Sequence, residues 1–378
     1  MPHDIPPAAV PPVLAGQPLT RLINAAGTFT PLGVSRSSNA VGENAAAALR
    51  HFLVIDELQD MAGAALAAWT GADAGAVTHC AAAGITLSVA AFLTGNDPDR
   101  IAALPDTGGR PNRIALLAGH AVNYGHPIEQ DIRLAGGEPV FVTQDGADPL
   151  GELEATLRSD TIAGLLLVSS RLVRSPGEDL SAAVRIAHAA GKPVVIDGAA
   201  QDWRIPALLD TGADLVVISG HKYLASPTAG FVIGARAMVA AVRAQEKGIG
   251  RAMKASKEAI VGLLAAIAER RSVDPAAWSD EQTRKTAAFV QRVNSIAGIR
   301  AEAIDDPVGM PFPRAHVMVG NGDPAATRAM CAALKAGDPS IRVMEHQLDQ
   351  GVMVLELVPL SRTEIDTLVE RLAEAVMP

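Results

Sequence analysis

Two short apolar runs carry the clearest pattern in the chain. Leu215-Val216-Val217-Ile218 stops abruptly at Ser219-Gly220-His221-Lys222, and Val194-Val195-Ile196 stops at Asp197. Continuous apolar runs closed by turn residues suit strands buried on both faces. Residues 113–118, 139–142 and 163–168 read as further strands of the same kind. Residues 57–69, 85–93, 128–134, 150–157 and 180–190 read as helices between and around them. Strands alternating with helices at this spacing predict an α/β fold with a doubly wound, mostly parallel sheet sandwiched by helices. The run 230–234 follows the Lys222 strand after a short Ser-Pro-Thr loop. That loop is too short for a helical crossover, so the strand is expected to run antiparallel to its predecessor. Further helices are expected from 235 to about 245 and over 259–270. Beyond Pro275, strands over 315–319 and 352–358 and a closing helix over 364–376 predict a small C-terminal α/β domain. Residues 1–17 are rich in proline and read as an extended arm, 21–44 as largely irregular, and 97–112 as a polar connection. The expected organisation is an arm over 1–20, a large domain over 21–270 and a small domain over 271–378.

Composition narrows the classes of function. The chain has 378 residues with 49% hydrophobic and only 3% aromatic side chains, so its core is built from small and aliphatic residues. A formal net charge of −9, with no long basic run, argues against a nucleic-acid surface, which draws on clustered positive charge. Cys80 and Cys331 are the two cysteines. They form neither a disulfide framework nor a zinc spacing, and a reducing cytoplasm suits them. No signal peptide is legible at the N-terminus. No apolar stretch reaches membrane-spanning length. No metal site is expected.

The two strand ends hold the candidate chemistry. Lys222 lies just past the carboxyl end of its strand, where open α/β sheets place their ligands. If the two strands are neighbours, Asp197 meets it at the same edge. Pyridoxal phosphate needs such a pair, a lysine for the Schiff base and a carboxylate to keep the pyridine nitrogen protonated. Taken singly, Lys222 also reads as an ordinary solvated lysine. Upstream, Thr78-His79-Cys80-Ala81-Ala82-Ala83-Gly84 leads into the 85–93 helix. Small residues at a helix start let backbone N–H groups approach a phosphate, favoured by the helix dipole. The same stretch equally suits an Ala-rich helix packed under the sheet. His120 follows the 113–118 strand, with Asn123, Tyr124 and His126 close behind, and is placed either to lie on a cofactor ring or simply to be hydrogen-bonded. The basic stretch 247–258, with Arg251 and Lys254, reads as an anion clamp or as a solvated loop.

Taken together, Arg21-Leu22-Ile23-Asn24-Ala25-Ala26-Gly27, the 78–84 stretch, Val195-Ile196-Asp197-Gly198-Ala199-Ala200, Ser219-Gly220-His221-Lys222, Gly248-Ile249-Gly250-Arg251-Ala252-Met253-Lys254 and Lys257-Glu258 form a pattern. It resembles the selenocysteine synthase-like group of fold-type I (aspartate aminotransferase superfamily) pyridoxal-phosphate enzymes, in the D-glucosaminate-6-phosphate ammonia-lyase-like branch. The resemblance covers about residues 21–270 and the C-terminal domain in general shape. It implies a seven-stranded sheet, with Lys222 as the Schiff-base lysine and Asp197 on the pyridine nitrogen. Backbone groups of Cys80 and Ala81 would hold the phosphate, where serine or glycine is more usual than cysteine, and His120 would lie against the ring. Ser219 and His221 would bind phosphate or steer the lysine. Arg251 and Lys254 would reach an anionic group, in a homodimer or higher homo-oligomer. A match beginning near residue 21 leaves no room for the tRNA-engaging N-terminal domain of true selenocysteine synthases, so selenium transfer is not expected.

The expected reaction is α,β-elimination on a small amino acid or amino sugar acid. Lys222 abstracts the α-proton, and His221 or Tyr223 protonates the leaving group. An aminotransferase, a racemase and a non-catalytic binder on the same fold remain alternatives. A nicotinamide dehydrogenase lacks its glycine-rich turn here. Arg171, Arg314 and Arg342 are equal candidates for the substrate carboxylate.

Overall fold

The computed structural model describes residues 11–143, 148–174 and 179–376. The chain forms two compact units, one of residues 39–271 and one joining the chain up to Ser38 with the chain from Ser272. β1 (Leu22–Asn24) belongs to the second, smaller unit. The larger unit is built on a seven-stranded sheet of β2 (Ala74–Thr78), β3 (Arg113–Leu117), β4 (Glu138–Val142), β5 (Ile162–Val168), β6 (Val194–Asp197), β7 (Leu215–Ser219) and β8 (Gly230–Gly234). Its order is β2-β8-β7-β6-β5-β3-β4. Every pair from β7 to β4 is parallel, while β8 runs antiparallel to both β7 and β2. The short connection from β7 to β8 has the consequence expected of it.

Alternate residues of the central strands feed two separate cores. Val216 and Ile218 of β7 join one apolar cluster, with residues of the helices Ile55–Thr70, Leu180–Ala189 and Lys257–Arg271. Leu215 and Val217 join the other, with residues of the helices Ala81–Thr94, Glu129–Leu134 and Arg236–Ala244. Because both faces are covered, β6, β7 and β8 are buried along their whole length, which is why their sequences read as continuous apolar runs. The Ala81–Thr94 helix is apolar all round and buried at most positions, as a helix pressed against a sheet requires. Gly84 permits its approach: a Cβ there would stand 2.8 Å from Val217 Cγ1.

The edge strand β2 is blunted by a side chain. Gln59, buried on the neighbouring helix, donates from its amide to the Val77 carbonyl at 2.8 Å and accepts from the Val77 N–H at 3.0 Å. These are the backbone groups that an edge strand otherwise leaves open to another chain.

In the smaller unit, β9 (Ile299–Ile304), β10 (Arg314–Val319), β11 (Ser340–Arg342) and β12 (Met353–Leu355) make an antiparallel sheet, β12-β10-β9, and a parallel pair, β1–β11. Three helices, Pro275–Val293, Pro324–Ala336 and Arg362–Val376, supply residues to its core. Residues 21–38 thus lie in the unit of the C-terminal strands, and a helix begins at Asn39, inside the stretch read as irregular. The 97–112 connection contains a short helix, Pro98–Ala103. Asp97 caps it by accepting from Asp99 and Arg100 N–H, with Pro98 at the first position. The strand expected over 352–358 is confined to Met353–Leu355. Among the described residues no helix is long and apolar enough to cross a membrane.

Candidate active site

The carboxyl edge of the parallel strands collects the candidate residues. Val168 pairs with Asp197, and Asp197 with Val217, so β5, β6 and β7 end in line. The Ser169 N–H donates to the Asp197 carbonyl at 2.8 Å, and the Ser219 N–H to the Ala199 carbonyl at 3.1 Å, so the loops leave the edge side by side. Lys222 and Asp197 therefore meet at one edge, as the two strand ends predict.

Asp197 is 5% exposed and accepts from the Ala199 N–H at 2.9 Å. Burial pushes its carboxyl up to about 6, against the pull of Lys222 and the Ala199 N–H, while Asp131 adds to the rise. Burial pulls the Lys222 ammonium below the ordinary lysine range, and Arg171 adds to this, against Asp197 and Asp202. Lys222 as a residue keeps part of its surface open. His221 is likewise lowered by burial, then by Lys222 and His79. It therefore favours the neutral imidazole and suits orienting or accepting better than donating a proton.

The rise at Asp197 has a testable sign. The folded protein holds this proton more tightly than the unfolded chain, whose carboxyl has its ordinary value of 3.8. The group's stabilising contribution is complete below about pH 4 and lost as pH rises through about 6. Urea midpoints of the cofactor-free protein should thus fall more steeply between pH 4 and 6 than those of Asp197→Asn. Parallel curves would mean that the carboxyl ionises freely.

The candidate phosphate cup is built by close backbone approach. Cys80 caps the Ala81–Thr94 helix, its Sγ accepting from the Ala83 N–H at 3.5 Å, and its carbonyl accepts from the Thr78 hydroxyl at 2.8 Å. Gly230 of β8 presses on the Cys80–Ala81 peptide: a Cβ there would lie 2.3 Å from the Cys80 carbonyl carbon and 2.5 Å from Ala81 N. Any larger residue at 230 displaces the helix start. The basic loop docks beside the cup. The His79 N–H donates to the Met253 carbonyl at 3.0 Å, and Lys254 bridges Thr78. Arg251 and Lys254 are exposed there.

His120 is 1% exposed, and its Nδ1 accepts from the Val168 N–H at 2.9 Å. This bond fixes the ring and leaves the proton on Nε2. Burial lowers its pKa to about 4, so the ring is neutral. Ser219, at the end of β7, is buried, and its Oγ has no hydrogen-bond partner among the described residues. An orphaned buried hydroxyl is costly and suits a ligand that satisfies it.

Two features escape a reading of the chain. Asp202 and Arg270 form a buried ion pair at 2.8 Å. Arg270 also donates to the Tyr223 carbonyl at 2.7 Å and lies 3.8 Å from the centre of the Trp203 ring. It therefore pins the residue next to Lys222. Asp131, buried on the Glu129–Leu134 helix, is the other. The Asp202–Arg270 pair joins distant elements, for which linear spacing gives no signal, and the burial of Asp131 depends on how its helix packs. Of the three candidate carboxylate partners, Arg171 acts electrostatically on Lys222. Arg314 is buried in the smaller unit and bound to Asp306 and Glu356. Arg342, also in the smaller unit, donates to Ser340 Oγ at 3.0 Å.

These residues fit pyridoxal phosphate. The amine and carboxylate face one edge, the cup offers backbone N–H groups at the start of a 14-residue helix, and Ser219 Oγ waits beside it. Fold and site together define a fold-type I pyridoxal-phosphate enzyme.

Comparison with known proteins narrows the class. The chain is 34% identical over 361 residues to D-glucosaminate-6-phosphate ammonia lyase of Salmonella typhimurium, covering 94% of this chain and 95% of that one. A solved structure of D-glucosaminate-6-phosphate ammonia-lyase superposes with a TM-score of 0.86 at 32% identity, over 97% and 98% of the two chains. The chain is also 35% identical over 363 residues to a 5'-C-glycyluridine monooxygenase-decarboxylase of Streptomyces, covering 94% and 90%. The family model for L-seryl-tRNA selenium transferase matches residues 197–304. A serine palmitoyltransferase of Sphingomonas wittichii shares the fold, with a TM-score of 0.60 at 12% identity over 93% and 86% of the chains. The chain belongs to the D-glucosaminate-6-phosphate ammonia-lyase family, in the selenocysteine synthase-like group, and its cofactor is pyridoxal phosphate.

Proposed function

We propose that the protein eliminates ammonia from an amino sugar acid, of which D-glucosaminate 6-phosphate is the first to test, by α,β-elimination to a keto acid. The observation that carries this reading is the Lys222–Asp197 edge in a chain 34% identical to the lyase over 94% of its length. Bound pyridoxal phosphate supplies a sink for the electron pair left at the substrate Cα. Asp197, buried at the end of β6, would hold the ring nitrogen, and His120 would support the ring. Lys222 would hold the cofactor through its amine. Its amine, held below the ordinary lysine range, then takes the Cα proton at Nζ. The same Nζ returns that proton to the departing β-hydroxyl, which leaves as water, while the neutral His221 orients it. The enamine so formed takes up a proton at its β-carbon to become an imine, which water hydrolyses to keto acid and ammonia. Cys80, Ala81 and Ser219 hold the cofactor phosphate, and Arg251 and Lys254 reach an anionic group from beside the cup. That these two are exposed in a single chain supports a homodimer in which a second copy covers the basic loop. The free cysteines Cys80 and Cys331 suit a cytoplasmic protein.

The Streptomyces relative gives a second reading, oxygen-dependent decarboxylation on the same cradle. Incubation with D-glucosaminate 6-phosphate under air and under nitrogen separates the two. Equal release of keto acid and ammonia in both, with no oxygen uptake, supports the lyase. Turnover confined to air, with carbon dioxide released, supports the oxygenase. No product from this or any other amino sugar acid would overturn both.

A further inference from the structure

Directly after His120 the chain folds back on itself. The Val122 N–H donates to the His120 carbonyl at 2.8 Å, the Ile128 N–H to the Val122 carbonyl at 3.0 Å, and Asn123 bridges Pro127. The loop so formed carries Tyr124 and His126, whose rings pack with centroids 4.8 Å apart. Both converge on the Asp131 carboxylate. The Tyr124 hydroxyl donates to Oδ2, and His126 Nε2 lies 3.1 Å from Oδ1. Thr86, from the Ala81–Thr94 helix, bonds the same carboxylate. Asp131 is 1% exposed, so a carboxylate has been taken out of water and given three donors from two elements. Burying such a group is costly unless it is fully hydrogen-bonded, and nothing in the elimination chemistry uses it.

The cluster stands against the cradle. Tyr124 packs against the apolar cluster that includes Ala81 of the helix start and Val168, Val195 and Val217 of the strands. Its phenol feels the charges of Asp197 and Cys80 after those of burial and Asp131, and Asp197 feels Asp131. The phenol is held far above the ordinary tyrosine value, so Tyr124 stays a hydrogen-bond donor.

We propose that Tyr124, Asp131 and His126 form a positioning network for the cofactor ring, locking the loop that presents His120 and setting a second buried carboxylate behind Asp197. With the loop locked, the His120 ring is held in place from both sides, by the Val168 N–H and by the fold-back. With Asp131 behind it, Asp197 holds a proton at the ring nitrogen more firmly than an isolated carboxylate would. The proposal rests on the cofactor assignment and not on the reaction chosen above.

The test uses equilibrium binding of pyridoxal phosphate to cofactor-free protein, and the pH at which the visible band of the bound cofactor changes. Tyr124→Phe, which keeps the ring, is expected to weaken binding about tenfold, the usual worth of one hydrogen bond to a charged group. Asp131→Asn is expected to lower the midpoint pH by about half a unit or more, since the ring loses a nearby negative charge. His126→Gln keeps a donor to Asp131 and should retain the wild-type midpoint, whereas His126→Ala should not. If Asp131→Asn fails to fold, the affinity of Tyr124→Phe and the contrast between the two His126 variants decide. Wild-type affinity in Tyr124→Phe, or a lower melting temperature with affinity and midpoint unchanged in all variants, would overturn the network. Failure of the cofactor assignment would look different, since wild type itself would then take up no pyridoxal phosphate.

Discussion

Replacing Lys222 by alanine is expected to abolish turnover, with a loss of roughly 10³-fold or more, as removal of the anchoring and proton-transferring group requires. The fold should survive. Lys222 lies past the end of β7, part of its surface is open, and the backbone of the turn is held independently of its side chain. The Gly220 N–H donates to the Ala229 carbonyl at 2.8 Å, the Ser226 N–H to the Gly220 carbonyl at 3.0 Å, and Arg270 to the Tyr223 carbonyl. The variant should still take up pyridoxal phosphate through the cup, but borohydride should no longer fix it to the peptide carrying residue 222. A small primary amine added to the assay should restore part of the activity, because the missing function is a neutral amine at that place. Turnover above a tenth of wild type without added amine would sink the assignment, and so would fixation of the cofactor on another lysine.

What the sequence disclosed follows from how local each feature is. The apolar runs at Val194 and Leu215 are continuous because helices cover both faces of the sheet, and their ends mark the edge where Asp197 and Lys222 meet. The antiparallel β8 is implied by a loop too short to cross over. These features need only neighbours in sequence and the general geometry of sheets. The cup is half legible. Small residues at 81–84 fit both a phosphate site and a packed helix start, and the fold shows the packing: Gly84 lets the helix touch Val217, and the backbone at Cys80 meets Gly230. Arg251 and Lys254 read as an anion clamp, and their place beside Thr78 follows from a bridge the chain does not announce. Asp202 and Arg270 are illegible because each owes its role to a partner on another element, and Asp131 because spacing alone does not show that its carboxylate is buried with Tyr124 and His126 turned onto it. The position of β1 beside β11 is illegible for the same reason, since a three-residue strand carries too little pattern to choose its partner.

Arg314 shows the same limit with the largest consequence for stability. In sequence it is a reasonable partner for a substrate carboxylate. In the fold it is 5% exposed, with Nε donating to Asp306 at 2.9 Å, Nη2 2.8 Å from the same carboxylate, and Nη1 donating to Glu356 at 2.5 Å. Both acids are buried too, and a Cβ on Gly27 would stand 2.5 Å from Glu356 Oε2. One buried guanidinium thus serves two buried carboxylates. Arg314→Met matches the length of the side chain but takes from Asp306 and Glu356 the guanidinium that both bind. Removing one partner of a buried ion pair costs about 3–5 kcal/mol, and here two acids lose theirs. Urea unfolding at neutral pH should show that loss as a lower midpoint with an unchanged slope. Arg314→Lys should recover only part of it, because an ammonium cannot meet two carboxylates with a planar fork. An Arg314→Met protein of wild-type stability that had merely lost affinity for substrate would mean the arginine serves the reaction after all. The expected result removes Arg314 from the three candidate cations for the substrate carboxylate and leaves Arg171, whose charge reaches Lys222, and Arg342.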